Sequence, residues 1–377
     1  FTTSPTPLAG DIPVTLPELH RDVKRGERML LDDGLLECVV RRVLGRRIHT
    51  EVIQGGKLTS HKGLNLPGTR LKIPALSDKD RADARWGMAA GVDFVAMSFV
   101  RSPEDVRDLR RVLGRSAGGK RIKVIGKIEK PEAVERFDEI LPLLDVVMIA
   151  RGDLGIETPA AQVPVVQKQL IAASRARGIP VIVATQMLDS MQRNPRPTRA
   201  EVSDVANAVA DHADAVMLSG ETATGSFPVE AVRIMAETIR ATEASPFDDL
   251  APAAASPARD IPELLGDAVR RISDSLGHAP IIVITSSGRT AREIAAARPE
   301  TRIHAIVSDP QVARQLSAVW AVEPWLLPKQ TKVEARIRRS LSQLKRAKAL
   351  RPGERAVVVS GPRSGKPGTA NRISILS

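Results

Sequence analysis

The chain has 377 residues, 42% of them hydrophobic, and a formal net charge of +12. Aromatic residues make up 2%, with no tyrosine, which excludes a surface that stacks single-stranded bases; the excess charge reads as basic side chains spread over helix faces, with no nucleic-acid partner. No apolar run approaches the roughly 20 residues that cross a bilayer and no leader pattern is present, so the expectation is a cytoplasmic protein of two or three domains with no membrane partner.

Residues 1–72 read as all-β. Short alternating runs are broken at Asp32-Asp33-Gly34, Gln54-Gly55-Gly56 and Leu66-Pro67-Gly68, and nothing helical is expected there. Arg41-Arg42 and Arg46-Arg47 flank a hairpin turn at Gly45. The single cysteine, Cys38, can form no internal disulfide and falls in a strand-like run, as a packed core thiol would.

Residues 73–246 alternate strand and helix five times. The expected strands are 94–99, 122–128, 146–150, 181–185 and 215–219. Ser102 before Pro103 is a helix start, and Thr198 with Glu201 has the spacing of a capping box. Continuous apolar strands joined by helices argue for a parallel sheet covered on its outer face. Five strands are too few for an eight-stranded barrel, so either the sheet is open or the barrel's first strands are absent.

Residues 247–260 form a linker rich in Ala, Pro, Ser and Asp. A second α/β unit follows, with strands at 281–285, 303–308 and 356–360 and helices near 261–276, 290–297, 310–318 and 332–347. The basic run from Arg336 to Lys348 alternates with leucine and alanine at helical spacing, which suggests a solvated helix face.

Three strands of the middle unit end in polar residues: Lys127-Ile128-Glu129, Arg151-Gly152-Asp153 and Thr185-Gln186. In a parallel sheet with helical crossovers these ends share one face, where ligands bind. Strand alternation sets Lys127 and Glu129 on the same side. Two carboxylates can hold a hard divalent cation and a neighbouring lysine can bind phosphate, so the set reads as phosphoryl transfer. Plainer alternatives stand beside this: Glu129 as a helix cap, Asp153 as a turn residue, Lys127 as a surface lysine, Thr185 as a structural strand threonine. Gly152 either lets backbone N–H groups approach an anion, with a short helix near Leu154-Gly155, or makes a tight turn. Ser286-Ser287-Gly288-Arg289-Thr290 opens a helix after the strand at 281–285, as an anion pocket or as a capped turn. The basic loop at 361–368 closes over the same anion or connects two strands.

These motifs resemble those of the pyruvate kinase family. The resemblance rests on Lys127-Ile128-Glu129, the run from Ala150 to Glu157, Ala184-Thr185-Gln186-Met187-Leu188, the run from Pro197 to Asn207, and Ser219-Gly220-Glu221-Thr222-Ala223, and extends over essentially the whole chain. Gly63-Leu64-Asn65-Leu66-Pro67-Gly68 is similar to the segment by which that family's small B domain returns to the barrel.

The resemblance implies an α/β fold: a partial (β/α)8 TIM-type barrel (its last five strands, residues 73–246), a small and partial all-β B domain (1–72) and a C-terminal α/β allosteric domain (247–377). It implies transfer of the phosphoryl group of phosphoenolpyruvate to ADP, giving pyruvate and ATP. Glu129 and Asp153 would hold Mg2+ or Mn2+, and Lys127 would stabilise the phosphoryl group in transit. The Gly152 and Asp153 backbone would take the substrate carboxylate, and Thr185 would sit beside the enolate carbon. The Ser286–Thr290 loop would bind a sugar phosphate effector, and the assembly would be a homotetramer. Three barrel strands precede the B domain in the family and carry an arginine for the substrate phosphate and an Asn/Ser/Asp set for K+. No segment here corresponds to them, so little activity is expected of the chain alone. Smaller departures are His61 and Thr224, where lysines occur, and His212, where glycine is usual. The alternative reading is a non-catalytic remnant that keeps effector-binding and oligomer surfaces; a barrel aldolase is weaker still.

Overall fold

The computed structural model describes residues 1–69, 71, 73–114, 121–249, 261–328, 332–361 and 370–377, the side chains of 261–263 apart. Most of the expected linker, from 250 to 260, and the basic loop from 362 to 368 lie outside the described residues.

The first unit is an antiparallel sheet in the order β3-β2-β1-β4, with β1 at Arg28–Leu31, β2 at Leu36–Leu44, β3 at Arg47–Gln54 and β4 at Leu64–Asn65. Gly45 turns the β2–β3 hairpin with φ +56°, a conformation that costs glycine nothing. Cys38 packs as expected, buried in a core with Met29, Val40 and Ile48. One expectation fails: Leu19–Asp22 forms a turn of helix, because burying Leu19 completely against the sheet outweighs a weak local preference.

The second unit is a parallel sheet in chain order, β5 (Phe94–Met97), β6 (Lys123–Ile128), β7 (Val146–Ala150), β8 (Val181–Ala184) and β9 (Ala215–Met217). Every residue of β7 is buried, as a strand covered on both faces requires. Ser102 and Thr198 cap their helices through full capping boxes with Asp105 and Glu201. A third box, Ser77 with Asp80, starts the helix Asp78–Ala90. Gly126 is a glycine of necessity, since a Cβ there would lie 2.5 Å from the buried Leu144 side chain. Among the described residues β5 and β9 each pair with one neighbour, so the sheet is open at both edges.

The third unit is a five-stranded sheet in the order β12-β11-β10-β13-β14: β10 (Ile281–Ile284), β11 (Ile303–Val307), β12 (Val322–Leu326), β13 (Ala356–Ser360) and β14 (Arg372–Leu376). The two strands not foreseen are the edges. Pro324 interrupts β12, which only an edge strand accommodates, and β14 is largely solvent-facing and antiparallel. The helix Val333–Arg346 corrects another expectation: Arg336 is buried, not solvated, and its Nη2 donates to the Ile306 carbonyl at 3.1 Å. Spacing alone does not reveal that one basic residue of a charged helix faces inward. None of the helices is long and apolar enough to cross a membrane among the described residues.

The second and third units meet through polar contacts. Arg314 forks onto Asp93 at 2.7 and 3.0 Å. Arg298, buried, ion-pairs with Asp214 at 3.2 Å and lies over the Trp320 ring at 4.8 Å. Its Nη2 donates to the His212 carbonyl. His212 has φ +65°, in the left-handed region that favours glycine.

The His212 ring sits 3.5 Å from Asp248. Burial, and then Arg175 and Arg298, push its pKa down to about 4. Burial, and then Glu243 and Glu300, push Asp248 up to about 6. The two act in opposite directions. Below pH ~6.5 the unfolded chain takes up the histidine proton first, so that contribution to stability falls as pH drops towards 4. The protonated Asp248 is favoured in the fold, so its contribution falls as pH rises from 3.8 through about 6. Replacing His212 with asparagine, which tolerates positive φ, removes only the first. The difference in urea-unfolding stability between pH ~6.5 and ~4.5 should then shift by about 1–2 kcal/mol towards greater acid tolerance. An identical pH dependence in the two proteins would show that the imidazole is not the titrating group.

Candidate active site

The registers of the parallel sheet bring the polar strand ends together. Ile128 lies beside Ile149, and Ala150 beside Ala184. Glu129, Arg151 and Thr185 therefore leave the sheet at the same edge, from neighbouring strands.

Glu129 is completely buried, and its Oε2 accepts from the Phe99 N–H at 2.6 Å. Its Oε1 lies 2.5 Å from Lys127 Nζ but off the direction of a hydrogen bond, so this oxygen is ion-paired without a donor aimed at it. The contact confirms that Lys127 and Glu129 face the same side. Lys127 Nζ in turn donates to Ser98 Oγ at 2.8 Å. A fully buried carboxylate with one oxygen left to a lysine alone is costly unless a further cation completes it.

Asp153 stands in the first turn of the helix Arg151–Glu157, which begins at the strand's end rather than near Leu154. Its half-buried carboxylate has no hydrogen-bond or ion-pair partner among the described residues. The described residues hold no group of three or more His, Cys, Asp and Glu that could bind a metal. Glu129 and Asp153 stand at the ends of neighbouring strands, and a hard cation held by both would draw its remaining ligands from water or a bound molecule's oxygens.

Gly152 donates its N–H to Thr185 Oγ1 at 2.7 Å, and that hydroxyl donates to the Ala184 carbonyl at 2.6 Å. The backbone around them is strained. Thr185 has φ +71°, Gln186 +54° and Phe99 +53°. For a β-branched residue such as threonine this is an outlier, and outliers of this kind collect where a site is held in a fixed geometry.

Arg151 is the residue the sequence reading left without a role. Its guanidinium forks onto Asp204, with both contacts at 2.6 Å, and donates to the Thr185 carbonyl at 3.1 Å. One side chain thereby ties the end of β7 to the end of β8 and to the helix Arg199–Ala210. An arginine placed between a wholly apolar strand and Gly-Asp was the available signal, because it needs an acid partner. Ser98 gave no such signal. Glu221 braces the neighbouring strand ends: it is buried and accepts from the N–H groups of Leu188 at 3.0 Å and Ser219 at 2.8 Å.

The loop at 286–290 takes a different course. Gly288 has φ +76°, donates its N–H to Thr285 Oγ1 at 3.0 Å, and leaves no room for a Cβ, which would meet Leu316 at 2.8 Å. Thr290 is buried, and Ser286 and Ser287 are half-buried. Arg289 lies along its own helix, Arg289–Ala296, ion-paired with Glu293 at 2.6 Å.

Comparison with known proteins identifies the family of the chain. A family profile described as pyruvate kinase, barrel domain, matches residues 7–232, and one described as pyruvate kinase, alpha/beta domain, matches residues 263–376. "Pyruvate kinase 2" of Synechocystis is 45% identical over 95% of this chain and 60% of its own length. "Pyruvate kinase" of Mycobacterium tuberculosis H37Rv is 42% identical over 97% of this chain and 76% of its own. "Pyruvate kinase" of Geobacillus stearothermophilus is 42% identical over 97% and 62%. The chain thus spans about three-fifths of two of these relatives. Identity at this level along nearly the whole chain, added to two matched profiles, settles descent: the chain belongs to the pyruvate kinase family.

Proposed function

We propose that the strand-end site transfers the phosphoryl group of phosphoenolpyruvate to ADP, giving pyruvate and ATP. The observation that carries this is a buried Glu129, under-satisfied at one oxygen and ion-paired with Lys127, at the same strand-end edge as Asp153, whose carboxylate has no partner among the described residues. The two carboxylates fit Mg2+ or Mn2+, which when bound neutralises charge on the substrate's carboxylate and phosphate oxygens. Lys127, fixed by Ser98 and Glu129, faces the phosphoryl group as it moves. The substrate carboxylate takes the N–H groups of Gly152 and Asp153, displacing the Thr185 hydroxyl from Gly152. That hydroxyl is then free beside the enolate carbon, where it helps orient protonation. Excluding water would strengthen each of these interactions.

K+, a sugar phosphate effector at Ser286–Thr290, a homotetramer and a cytoplasmic location are proposed with this reading, on the strength of the family. So is the division into a B domain (1–72), barrel domain (73–246) and allosteric domain (247–377). A second reading is a non-catalytic member: among the described residues the parallel sheet is open at both edges, which leaves their site less enclosed. A coupled assay of the 377-residue polypeptide with phosphoenolpyruvate and ADP separates them. Slow but Mn2+-dependent pyruvate formation supports the first. Absence of turnover together with absence of phosphoenolpyruvate-dependent Mn2+ binding would overturn it.

A further inference from the structure

At the opposite end of the parallel sheet a cavity of about 160 Å3 opens between the second and third units. Asp145 and Gly178, in the loops that lead into β7 and β8, line one wall with Arg177; Arg289, Arg292 and Glu293 line the other. Most of its charges are already matched. Arg177 pairs with the exposed Asp138 at 3.0 Å, and Arg289 with Glu293. The Asp145 carboxylate is fully used: it takes Lys123 Nζ at 2.8 Å, Arg110 Nη2 at 2.8 Å and the Val124 N–H at 3.0 Å. Arg292 is half-buried and has no ion-pair or side-chain hydrogen-bond partner among the described residues. Burial pushes its pKa down, against the opposing fields of Asp145 and Glu293. Three arginines therefore line the cavity against two carboxylates.

We propose that this cavity is a binding site for a small phosphate dianion, held by Arg292 and Arg177 across the two units. The excess of positive charge in the lining suits an anion. Arg292 supplies charge-assisted donors that no other described residue engages, and the partner Arg177 has among the described residues is solvent-exposed and screened. The site is separate from the strand-end chemistry and does not rest on the phosphotransfer reading. Its location gives it a lever on that chemistry all the same. The loops it touches start β7 and β8 and, through Asp145, hold the start of β6, the strands whose far ends carry Glu129, Arg151 and Thr185. A ligand bridging the units would bias how they sit on one another.

The test is calorimetric titration of the 377-residue protein with inorganic phosphate at fixed ionic strength. A saturable site weakened at least tenfold by Arg292→Leu and by Arg177→Gln is expected, distinct from any phosphate binding at the 286–290 loop that Ser287→Ala removes. If Arg292→Leu fails to fold, Arg177→Gln carries the same test from a partly exposed position. No saturable binding, or binding that both arginine variants retain in full, overturns the proposal. So does loss of binding in Ser287→Ala with retention in Arg177→Gln, which would place the anion in the 286–290 loop.

Discussion

Replacing Asp153 with asparagine is expected to cut phosphoryl transfer about a thousandfold, or ~4 kcal/mol of barrier, while leaving the melting temperature within about 1 °C. The kinetic loss follows from removing one of the two carboxylates proposed to hold the cation. The structural silence follows from Asp153 making no hydrogen bond or ion pair among the described residues, so that the neutral isostere leaves no contact unmade. Glu129→Gln should behave differently. It should also lose activity, but Glu129 accepts the Phe99 N–H and pairs with Lys127 in a fully buried place, so this variant should lose about 2 kcal/mol of stability as well. Measuring phosphoenolpyruvate-dependent Mn2+ binding beside turnover makes the comparison usable even where turnover is slow. An Asp153→Asn protein with ordinary Mn2+ binding and ordinary turnover would remove Asp153 from the site.

Arg298→Met should produce the largest loss of stability, about 3 kcal/mol. The guanidinium is 4% exposed and holds three groups at once: the Asp214 carboxylate, the His212 carbonyl and the Trp320 face. Asp214 also fixes the Val181 N–H at 2.9 Å, at the start of β8, and the Trp320 N–H at 3.2 Å. Methionine keeps most of the volume but leaves the Asp214 charge buried with backbone donors alone. Because the contacts join two units, unfolding followed by near-ultraviolet signals and by hydrogen exchange should show the interface opening before either sheet. A single unchanged transition would mean that the pair contributes little beyond its own desolvation.

Much of this was legible in the chain. Period and length located all five parallel strands to within a few residues, because wholly buried strands such as β7 admit almost nothing polar. Capping chemistry located Ser102 and Thr198 for a local reason that tertiary structure did not override. What remained hidden was set by partners distant in sequence. Arg336 turns inward because the Ile306 carbonyl is there to receive it. The β12 strand carries a proline that is harmless only at an edge. In the site, Lys127, Glu129, Asp153 and Thr185 could be grouped from strand ends alone. The tie of Arg151 to Asp204, the seat of Lys127 on Ser98 and the use of the Gly152 N–H by Thr185 depend on how neighbouring strands are registered.

The left-handed backbones of Phe99, Thr185 and Gln186 have a consequence for anyone breeding this protein for heat resistance. Each residue forgoes roughly 1 kcal/mol that glycine there would recover. A screen scored only on survival at high temperature would be drawn to Phe99 and Gln186, and would loosen the loops that set the spacing between Lys127, Gly152 and the Thr185 hydroxyl. Survivors carrying glycine at 99 or 186 should outlast the parent and turn over less, whereas glycine at 185 also deletes the hydroxyl bonded to the Gly152 N–H and the Ala184 carbonyl and should lose on both counts.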